Sequence, residues 1–301
     1  MIGMKKLLFT GGSGFLGKNT IPTLNKSYEV TTLGITDYDD IKVNLAKTVP
    51  QLSVKYDVIL HAAGKAHIYP KTEEERRAFY DVNYEGTVNL CKALENNLPN
   101  AIVFISTMSV YGSEPGNMDT ETSRPLIGDT PYADSKIKAE QYLTDWCHGH
   151  GVTLGILRPG LIAGENALGN LGAMVRGIKK GAYLSINHGK ARKSMLMAQD
   201  IARLVPLVAE KGGVYNVCDS HNPSFGELET IISAQLGKKK PINIPFWIAK
   251  CIALIGDILG NWFPLNSSRL QKIVTSDTYS NEKARKELGW EPLSVIDNYK
   301  I

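Results

Sequence analysis

The sequence predicts an α/β fold, a doubly wound parallel sheet with a smaller discontinuous lobe in its C-terminal half. Three observations predict it. Short apolar runs alternate with helical patterns through the first half of the 301 residues. A glycine-rich turn directly follows the first apolar run. The alternation stops after Arg158, where loops rich in Gly, Asn and Pro begin.

Each apolar run predicts a buried parallel strand. The runs lie at residues 5–10, 29–33, 57–61, 101–106, 152–158 and 213–217. Helical patterns lie between them at 15–25, 73–96, 131–148 and 198–210. Right-handed crossovers put these helices on both faces of the sheet, which is the Rossmann arrangement, with ligands at the carboxyl ends of the strands. We expect one domain from 1–160 plus about 194–217, and a substrate lobe from 161–193 plus 218–301.

The first turn carries glycines at positions 11, 14 and 17, in the spacing Gly-x-x-Gly-x-x-Gly. Glycines here allow a sharp turn, close approach of backbone to a pyrophosphate, and close packing of helix on strand. The phosphates would bind free N–H groups at the helix N-terminus. A plain glycine-rich turn is the alternative, but the preceding strand and following helix favour a dinucleotide site.

Composition bounds the function. The formal charge of +4 is mild, and we expect the one dense basic run, Lys238 to Lys240, to be a solvated loop rather than a nucleic-acid site. The four cysteines form no C-x-x-C pair, which fits a reducing compartment and predicts no metal site. Residues 1–4 lead straight into the first strand and leave no room for a signal peptide. We therefore expect a cytoplasmic protein.

The apolar segment 246–263 contains Lys250 and Asp257 and is too short to span a bilayer comfortably. Its large side chains fall on one helical stripe. We expect this stripe to pack in the core, with contact to a membrane surface as the alternative. The stripe consists of Trp247, Ile248, Cys251, Ile252, Ile255, Ile258, Leu259 and Trp262.

Tyr132 and Lys136 are four residues apart on a predicted helix, so they share a face. A phenol with a pKa of about 10 is a poor catalyst at neutral pH. An adjacent ammonium would lower that pKa and suit the phenol to proton transfer. Ser106, Thr107 and Ser109 follow the strand at 101–106, where a hydroxyl can assist. Local reasoning leaves the choice among these three open.

These motifs resemble those of the extended short-chain dehydrogenase/reductases, in the NAD-dependent nucleotide-sugar epimerase/dehydratase family. The resemblance covers nearly the whole chain, and the segments 61–83, 187–200 and 219–292 are most similar to a subgroup acting on UDP-N-acetyl-6-deoxyhexosamines, including 4-ketosugar reductases. The motifs occur in the family's order at residues 11–17, 61–64, 82–87, 107–112, 132–136, 158–160, 214–217 and 283–290.

The resemblance implies roles for individual residues. Tyr132 becomes the catalytic acid/base, Lys136 holds the ribose, and Thr107 is the catalytic hydroxyl. The cofactor, NAD with NADP as the alternative, would contact Gly11, Ser13, Gly14, Phe15, Leu16, Gly17, Asp37, Asn44, Leu45, Ala62, Ala63, Gly64, Asn83, Ser106, Tyr132, Lys136, Pro159 and Gly160. The substrate would contact Thr107, Ser109, Asn170, Lys193, Arg192 and Arg269, with Asn170 capping a helix that meets a diphosphate.

Departures from the family pattern narrow the reaction. Met108 and Ser109 replace the Asp-Glu pair of dehydratases, which disfavours elimination of water. Leu161 replaces an Asn that touches substrate in many epimerases. Gly34 replaces the usual ribose-binding Asp, and Asp37 or Thr36 is expected to take over. No Arg or Lys lies between residues 31 and 41 to pair a 2′-phosphate, which favours NAD.

We therefore expect a homodimeric redox enzyme acting at C4 of a UDP-linked N-acetylhexosamine for polysaccharide synthesis. A 4-epimerase is the first expectation. An NAD(P)H-dependent 4-ketosugar reductase of a UDP-6-deoxy-N-acetylhexosamine is the alternative, because both enzymes use the same residues. A reductase of other ketones or steroids, or a non-catalytic NAD-binding protein, is less favoured. The dimer would pair the helices at 73–96 and 131–148, as relatives do.

Overall fold

The structure is a computed structural model that describes residues 3–66, 70–112, 114–116, 122–260 and 265–301. Its strands are β1 (Lys5–Thr10), β2 (Tyr28–Gly34), β3 (Ile41–Lys42), β4 (Val58–His61), β5 (Ala101–Ile105), β6 (Thr153–Pro159), β7 (Leu161–Ala163), β8 (Leu184–Ile186), β9 (Met195–Met197), β10 (Gly213–Val217) and β11 (Ile242–Ile244). Its helices are α1 (Phe15–Leu24), α2 (Glu73–Tyr80), α3 (Gly86–Leu94), α4 (Pro131–His150), α5 (Gly169–Lys179), α6 (Ala198–Lys211), α7 (Phe225–Gln235), α8 (Phe246–Leu259), α9 (Ser267–Val274), α10 (Glu282–Leu288) and α11 (Val295–Asn298).

The main sheet runs in the order β10-β6-β5-β4-β1-β2-β3, and each strand pair in it is parallel. The strand order reverses between β1 and β4. Loops leaving these two strands diverge there and open a crevice at their carboxyl ends. The predicted doubly wound parallel sheet is confirmed. The edge strand β3 was not predicted, because two residues are too few to give a recognisable sequence pattern.

Helices cover both faces of the sheet. On one face, side chains of α6 pack on the central strands together with Leu24 of α1. On the other face, Leu90 of α3 and Leu143 of α4 pack on the same strands. The strands are apolar on both sides because both sides are covered. A π-helical turn (Asp81–Glu85) joins α2 and α3 within the stretch predicted as one helix.

The remaining elements form a second unit beside the carboxyl ends of the strands. Two small parallel pairs, β7 with β9 and β8 with β11, organise it. Helices α5 and α7 share one apolar cluster there, and α8 and α9 share another. Residues 284–290 were expected in the substrate lobe but pack elsewhere. Ala284, Leu288 and Trp290 join the core of the main sheet, so α10 packs on the larger unit.

The prediction that the large side chains of α8 pack in the core is wrong, because the opposite side of the helix is the buried one. Ala249, Ala253 and Gly256 are its buried residues. Small side chains let α8 approach α9 and β8 closely, and the large ones are left outside, with Trp247 66% and Ile258 87% exposed. Trp262 lies outside the described residues. Within the described part of the chain, no helix is long and apolar enough to cross a membrane.

Candidate active site

The glycine loop after β1 fits a pyrophosphate. Gly11 adopts φ +78°, which turns the chain, and its N–H donates to the Leu33 carbonyl. A Cβ on Gly17 would lie 1.7 Å from the Gly12 carbonyl oxygen, so only glycine lets α1 pack this close. A Cβ on exposed Gly14 would meet only the Gly11 carbonyl, at 3.1 Å. Gly14 is also the uncapped N-terminal residue before α1, which leaves N–H groups available to an anion.

The carboxylate beside this loop belongs to Asp39, which sequence reasoning missed. A Cβ on Gly34 would lie 2.5 Å from its Oδ2, so the glycine makes room for it. Ser13 donates to the carboxylate from its hydroxyl at 2.8 Å, and Thr36 does so from its N–H and its hydroxyl. Burial alone would raise the pKa of Asp39, but these hydrogen bonds outweigh it and hold the pKa below its ordinary value. Asp37, the expected residue, is exposed and pairs with Lys42.

Other predicted cofactor residues gather around the same crevice. Ala62, Ala63 and Gly64 leave the end of β4, and a Cβ on Gly11 would touch the Ala63 backbone at 3.0 Å. Phe15 and Leu16 begin α1 and pack partly into the two flanking apolar clusters. Pro159 ends β6, and Gly160 packs against the Ser194 carbonyl, 2.2 Å from where a Cβ would stand. Asn44 is exposed and Leu45 is buried in the core.

Tyr132 and Thr107 are brought together at the carboxyl end of β5. Thr107 caps the short 3-10 turn that follows β5, and Tyr132 lies in the first turn of α4. Burial raises the pKa of the Tyr132 phenol, and a hydrogen bond with the Thr107 side chain opposes that rise. Ser109 lies exposed beside them, and the Thr107 hydroxyl donates to its oxygen at 3.2 Å. Of the three hydroxyls left open by the sequence, Thr107 is the one on the phenol.

Lys136 lies one turn further along α4, buried at 4% exposure. Its Nζ donates to the Ile105 carbonyl at 2.9 Å and lies 4.5 Å from the centre of the Phe104 ring. A Cβ on Gly64 would be 3.3 Å from Nζ, so the ammonium lies beside the cofactor loop. Burial lowers the pKa of Lys136 to about 8, against the raising effect of Glu140. The sequence predicted that Lys136 lowers the pKa of Tyr132; in the structure that pKa is raised, and Thr107 is the opposing group.

Asn83 holds the site from behind rather than facing the cofactor. It lies in the π-helical turn, a feature common at functional sites. Its side chain accepts from the Lys65 N–H at 2.7 Å and donates to the Lys65 carbonyl and to the Ser135 hydroxyl. These three bonds fix the loop after β4 against α4. Asn83 is therefore a positioning residue in this structure.

A buried ion pair that the sequence did not reveal lies under the catalytic residues. Glu140 of α4 pairs with Arg158 of β6 at 2.5 Å, and both side chains are 5% exposed. The Ser106 hydroxyl donates to Glu140, so this predicted cofactor residue is engaged inside the protein. Arg158 also donates to the Tyr111 hydroxyl, which donates to Asn216. Burial would lower the pKa of Arg158, but Glu140 raises it above its ordinary value.

His61 ties β1, β4 and α3 together without a charge. Its Nδ1 lies 2.6 Å from the Thr10 hydroxyl, and its Nε2 lies 2.9 Å from that of Thr87. Burial, with a smaller effect from Lys136, lowers the pKa of His61 to about 3. The imidazole is therefore neutral at physiological pH and serves as a structural link.

The basic residues predicted to bind the substrate lie in two places. Arg192 turns away, pairs with Glu227 at 3.3 Å and donates to the Asn222 carbonyl. Lys193, the next residue, points the other way and is half-buried. Burial lowers its pKa, the carboxylate of Asp277 opposes this effect, and the nearby charge of Lys272 lowers the pKa further. Lys272 lies one turn of α9 beyond Arg269, so the structure brings Lys193, Arg269 and Lys272 into one region.

Asn170 does not cap α5, so that prediction is wrong. The N-cap residue is Leu168, which offers no side-chain acceptor, and Asn170 is the exposed second residue of the helix. The first turn of α5 has no acidic residue either. The N-terminal N–H groups of α5 are thus uncapped by side chains, and the anion-binding expectation there rests on the backbone.

This geometry, a glycine loop with room for a dinucleotide beside Thr107, Tyr132 and Lys136, fits an NAD(P)-dependent enzyme. A family model of the NAD dependent epimerase/dehydratase family matches residues 7–218, more than half of the chain. The chain belongs to this family. NAD fits the residues present, because Gly14, Gly64 and Asp39 leave or line the space that a dinucleotide needs.

Relatives carry the likeness across nearly the whole chain. An N-acetyl-alpha-D-glucosaminyl-diphospho-ditrans,octacis-undecaprenol 4-epimerase of Escherichia coli O157:H7 is 26% identical, covering 92% of this chain and 88% of the relative. A UDP-glucose 4-epimerase of Vibrio cholerae is also 26% identical, covering 97% and 92%. The crystal structure of a UDP-glucose 4-epimerase from Thermotoga maritima with UDP-glucose superposes with a TM-score of 0.74 at 18% identity, covering 97% and 95%.

Proposed function

We propose that this chain is a 4-epimerase of a UDP-linked N-acetylhexosamine. The observation that carries the proposal is that the Tyr132 phenol lies buried next to the Thr107 side chain at the carboxyl end of β5, with Lys136 one turn further along α4 and beside the loop at Gly64. A hydroxyl pair at this edge of the sheet can hold and move the proton of one sugar alcohol. The family assignment and the 4-epimerases among the relatives support the same chemistry.

The residues divide the work as follows. NAD, when bound, supplies the hydride acceptor and donor for the sugar carbon. Tyr132 takes the proton from the C4 hydroxyl and returns it, while Thr107 hydrogen-bonds the same oxygen. Lys136 is held by the Ile105 carbonyl beside Gly64 and would donate to the ribose hydroxyls of the bound cofactor. Asp39 would accept from the adenosine ribose, in place of a carboxylate at position 34.

Recognition of the diphosphate is proposed for the cationic residues of the second unit. Lys193, Arg269 and Lys272 lie in one region, and burial and the charge of Lys272 lower the pKa of Lys193, while Asp277 offsets part of this effect. A doubly charged ligand would relieve that mutual repulsion. The uncapped N-terminus of α5 adds backbone donors. We expect the working form to be a cytoplasmic homodimer through α2, α3 and α4.

The test starts from protein purified without added ligand. Mass spectrometry after denaturation reports whether NAD is retained, and NMR follows UDP-N-acetylglucosamine with no cofactor added. Retained NAD with formation of the C4 epimer supports the proposal. An empty site, with NADH or NADPH consumed only when a 4-ketosugar nucleotide is supplied, identifies the reductase instead. Retained NAD with no turnover of UDP-, GDP- or dTDP-sugars identifies a non-catalytic binding protein.

A further inference from the structure

Helix α8 carries an exposed apolar stripe that the proposed reaction does not use. Trp247 is 66% exposed, Leu254 and Ile255 are 52% exposed, and Ile258 is 87% exposed. Cys251 is exposed between them. The spacing i, i+4, i+7, i+8, i+11 puts all five on one side of the helix. We call this side the α8 face.

The α8 face is outward because the opposite side is the one that packs. Ala249 and Ala253 lie in one apolar cluster with Ile186 of β8 and Leu270 of α9. Small side chains there hold α8 firmly on the second unit. The stripe of large side chains thus has no partner among the described residues, and a contiguous apolar face of this kind marks an interaction surface.

Two further features favour a lipid surface as the partner. Phe246 and Trp247, at the N-terminal end of α8, are the aromatic type that favours the membrane-water interface. At 14 residues the helix is about 21 Å long, too short to cross the hydrocarbon core but suited to lie along it.

The charges around the α8 face point to anionic lipid. Exposed Lys238, Lys239 and Lys240 immediately precede β11, the three-residue strand that leads into α8. Lys250 lies exposed on α8 itself, beside the stripe. The acidic residue of α8, Asp257, accepts hydrogen bonds from the Ser267 N–H and hydroxyl. One lysine on α8 and three in the segment that leads to it match a bilayer of negative headgroups.

A second copy of the chain fits these charges less well. A two-fold interface pairs one face with itself, so each copy would bring Lys238, Lys239, Lys240 and Lys250 but only one carboxylate of α8, that of Asp257, which leaves an excess of positive charge. Anionic headgroups neutralise the same lysines. We propose that the α8 face docks the enzyme on an anionic phospholipid surface. The docked helix is packed against α9, so the region of Arg269 and Lys272 would be held close to the bilayer.

Vesicle flotation tests this docking with the full chain. The vesicles are phosphatidylcholine alone or phosphatidylcholine with phosphatidylglycerol. We compare the wild type with the double variant Ile255→Asp/Ile258→Asp. The matched control is Val49→Asp/Val54→Asp, which adds the same charge at two exposed positions, 41% and 42% accessible, on the larger unit. Circular dichroism checks that each variant is folded.

We expect the wild type to float with the anionic vesicles, and to bind less in 0.5 M salt by screening (about a 4 Å Debye length). The α8 variant should bind the anionic vesicles about tenfold more weakly, or not at all, because two charges replace apolar groups that would enter the bilayer. The control should stay within twofold of the wild type. Wild type that stays unbound, or an α8 variant that floats equally well, overturns the proposal. So does a wild-type dimer that the α8 variant converts to monomer without any vesicle binding, because a second copy then covers the face. Turnover of a water-soluble sugar nucleotide, measured in parallel, should be equal in the wild type and the α8 variant, so this result is independent of which sugar the enzyme uses.

Discussion

Asp39 occupies the space that a side chain at position 34 would fill. The two residues are five apart in sequence, yet a Cβ on Gly34 would lie 2.5 Å from the Asp39 Oδ2 and 2.7 Å from its Oδ1. Thr36 and Ser13 hold the carboxylate there and connect it to the glycine loop. The loop after β2 thus places a carboxylate at the end of that strand, where Gly34 itself carries no side chain.

The first prediction follows from the position of Asp39 beside Gly34. Asp39→Asn should weaken NAD binding about 10- to 100-fold, because a hydrogen bond to a charged group contributes about 1.5–3 kcal/mol. Asp37→Asn is the matched control, since Asp37 is exposed and pairs with Lys42 away from the glycine loop. Calorimetric titration of NAD measures both. Equal affinity in Asp39→Asn and the wild type would remove Asp39 from the ribose site.

Gly14 and Gly17 are expected to have different roles, Gly14 in NAD binding and Gly17 in the packing of α1. Gly14→Ala should keep the free energy of unfolding near that of the wild type and weaken NAD binding, because the new methyl group meets little protein but fills the approach to the loop. Gly17→Ala should lower the free energy of unfolding by about 1–3 kcal/mol or more, because its Cβ would overlap the Gly12 carbonyl. Urea denaturation and NAD titration measure the two effects. A destabilised Gly14→Ala with unchanged affinity would argue against the pyrophosphate site.

Tyr132→Phe should lower turnover about 100- to 10,000-fold, because a positioned acid/base contributes that much. Binding of the sugar nucleotide should change little. Tyr142→Phe is the control on the same helix, where the ring lies edge-on to Tyr84, 6.2 Å away. Kinetics and equilibrium binding are measured on both variants. Near-normal turnover in Tyr132→Phe would exclude the phenol as the acid/base.

The pKa of Lys136 gives a pH dependence with a defined sign. Its folded pKa of about 8 means that the ammonium is lost as pH rises through 8, so NAD affinity should fall there. The unfolded chain keeps this proton up to about 10.4, so between these values it binds more protons and this group's contribution to stability rises with pH. Lys136→Met should abolish both trends. NAD titrations and urea denaturation from pH 6.5 to 9.5 measure them, and a wild-type affinity that is flat across pH 8 would contradict the assignment.

The sequence predicted the parts of the site that depend on local order. The glycine spacing, the strand before it and the i, i+4 relation of Tyr132 and Lys136 are all set within a few residues, and the sheet follows from the order of the apolar runs. The Glu140–Arg158 pair joins a helix to a strand, and Asp39 depends on how an irregular loop folds back. Neither relation has a periodic signal, so neither was found.

Helix α8 shows a different limit. Periodicity identifies the side chains that share a face, and it did so correctly for Trp247, Cys251, Ile255 and Ile258. It does not identify which face finds a neighbour. Ala249, Ala253 and Gly256 also recur at helical spacing, and the close contact that they allow decided the orientation.

The attachment of α10 to the larger unit has a consequence for how the chain matures. Asp200 of α6 accepts from the Trp290 indole N–H at 3.3 Å and from the Leu293 N–H at 2.9 Å, and Trp290 is 2% exposed in the core of the main sheet. During synthesis the first 217 residues would emerge with this apolar bed uncovered. The nascent sheet must therefore wait for residues 284–290 before its core is sealed, and a nascent chain that lacks them exposes apolar surface to aggregation and to chaperone capture.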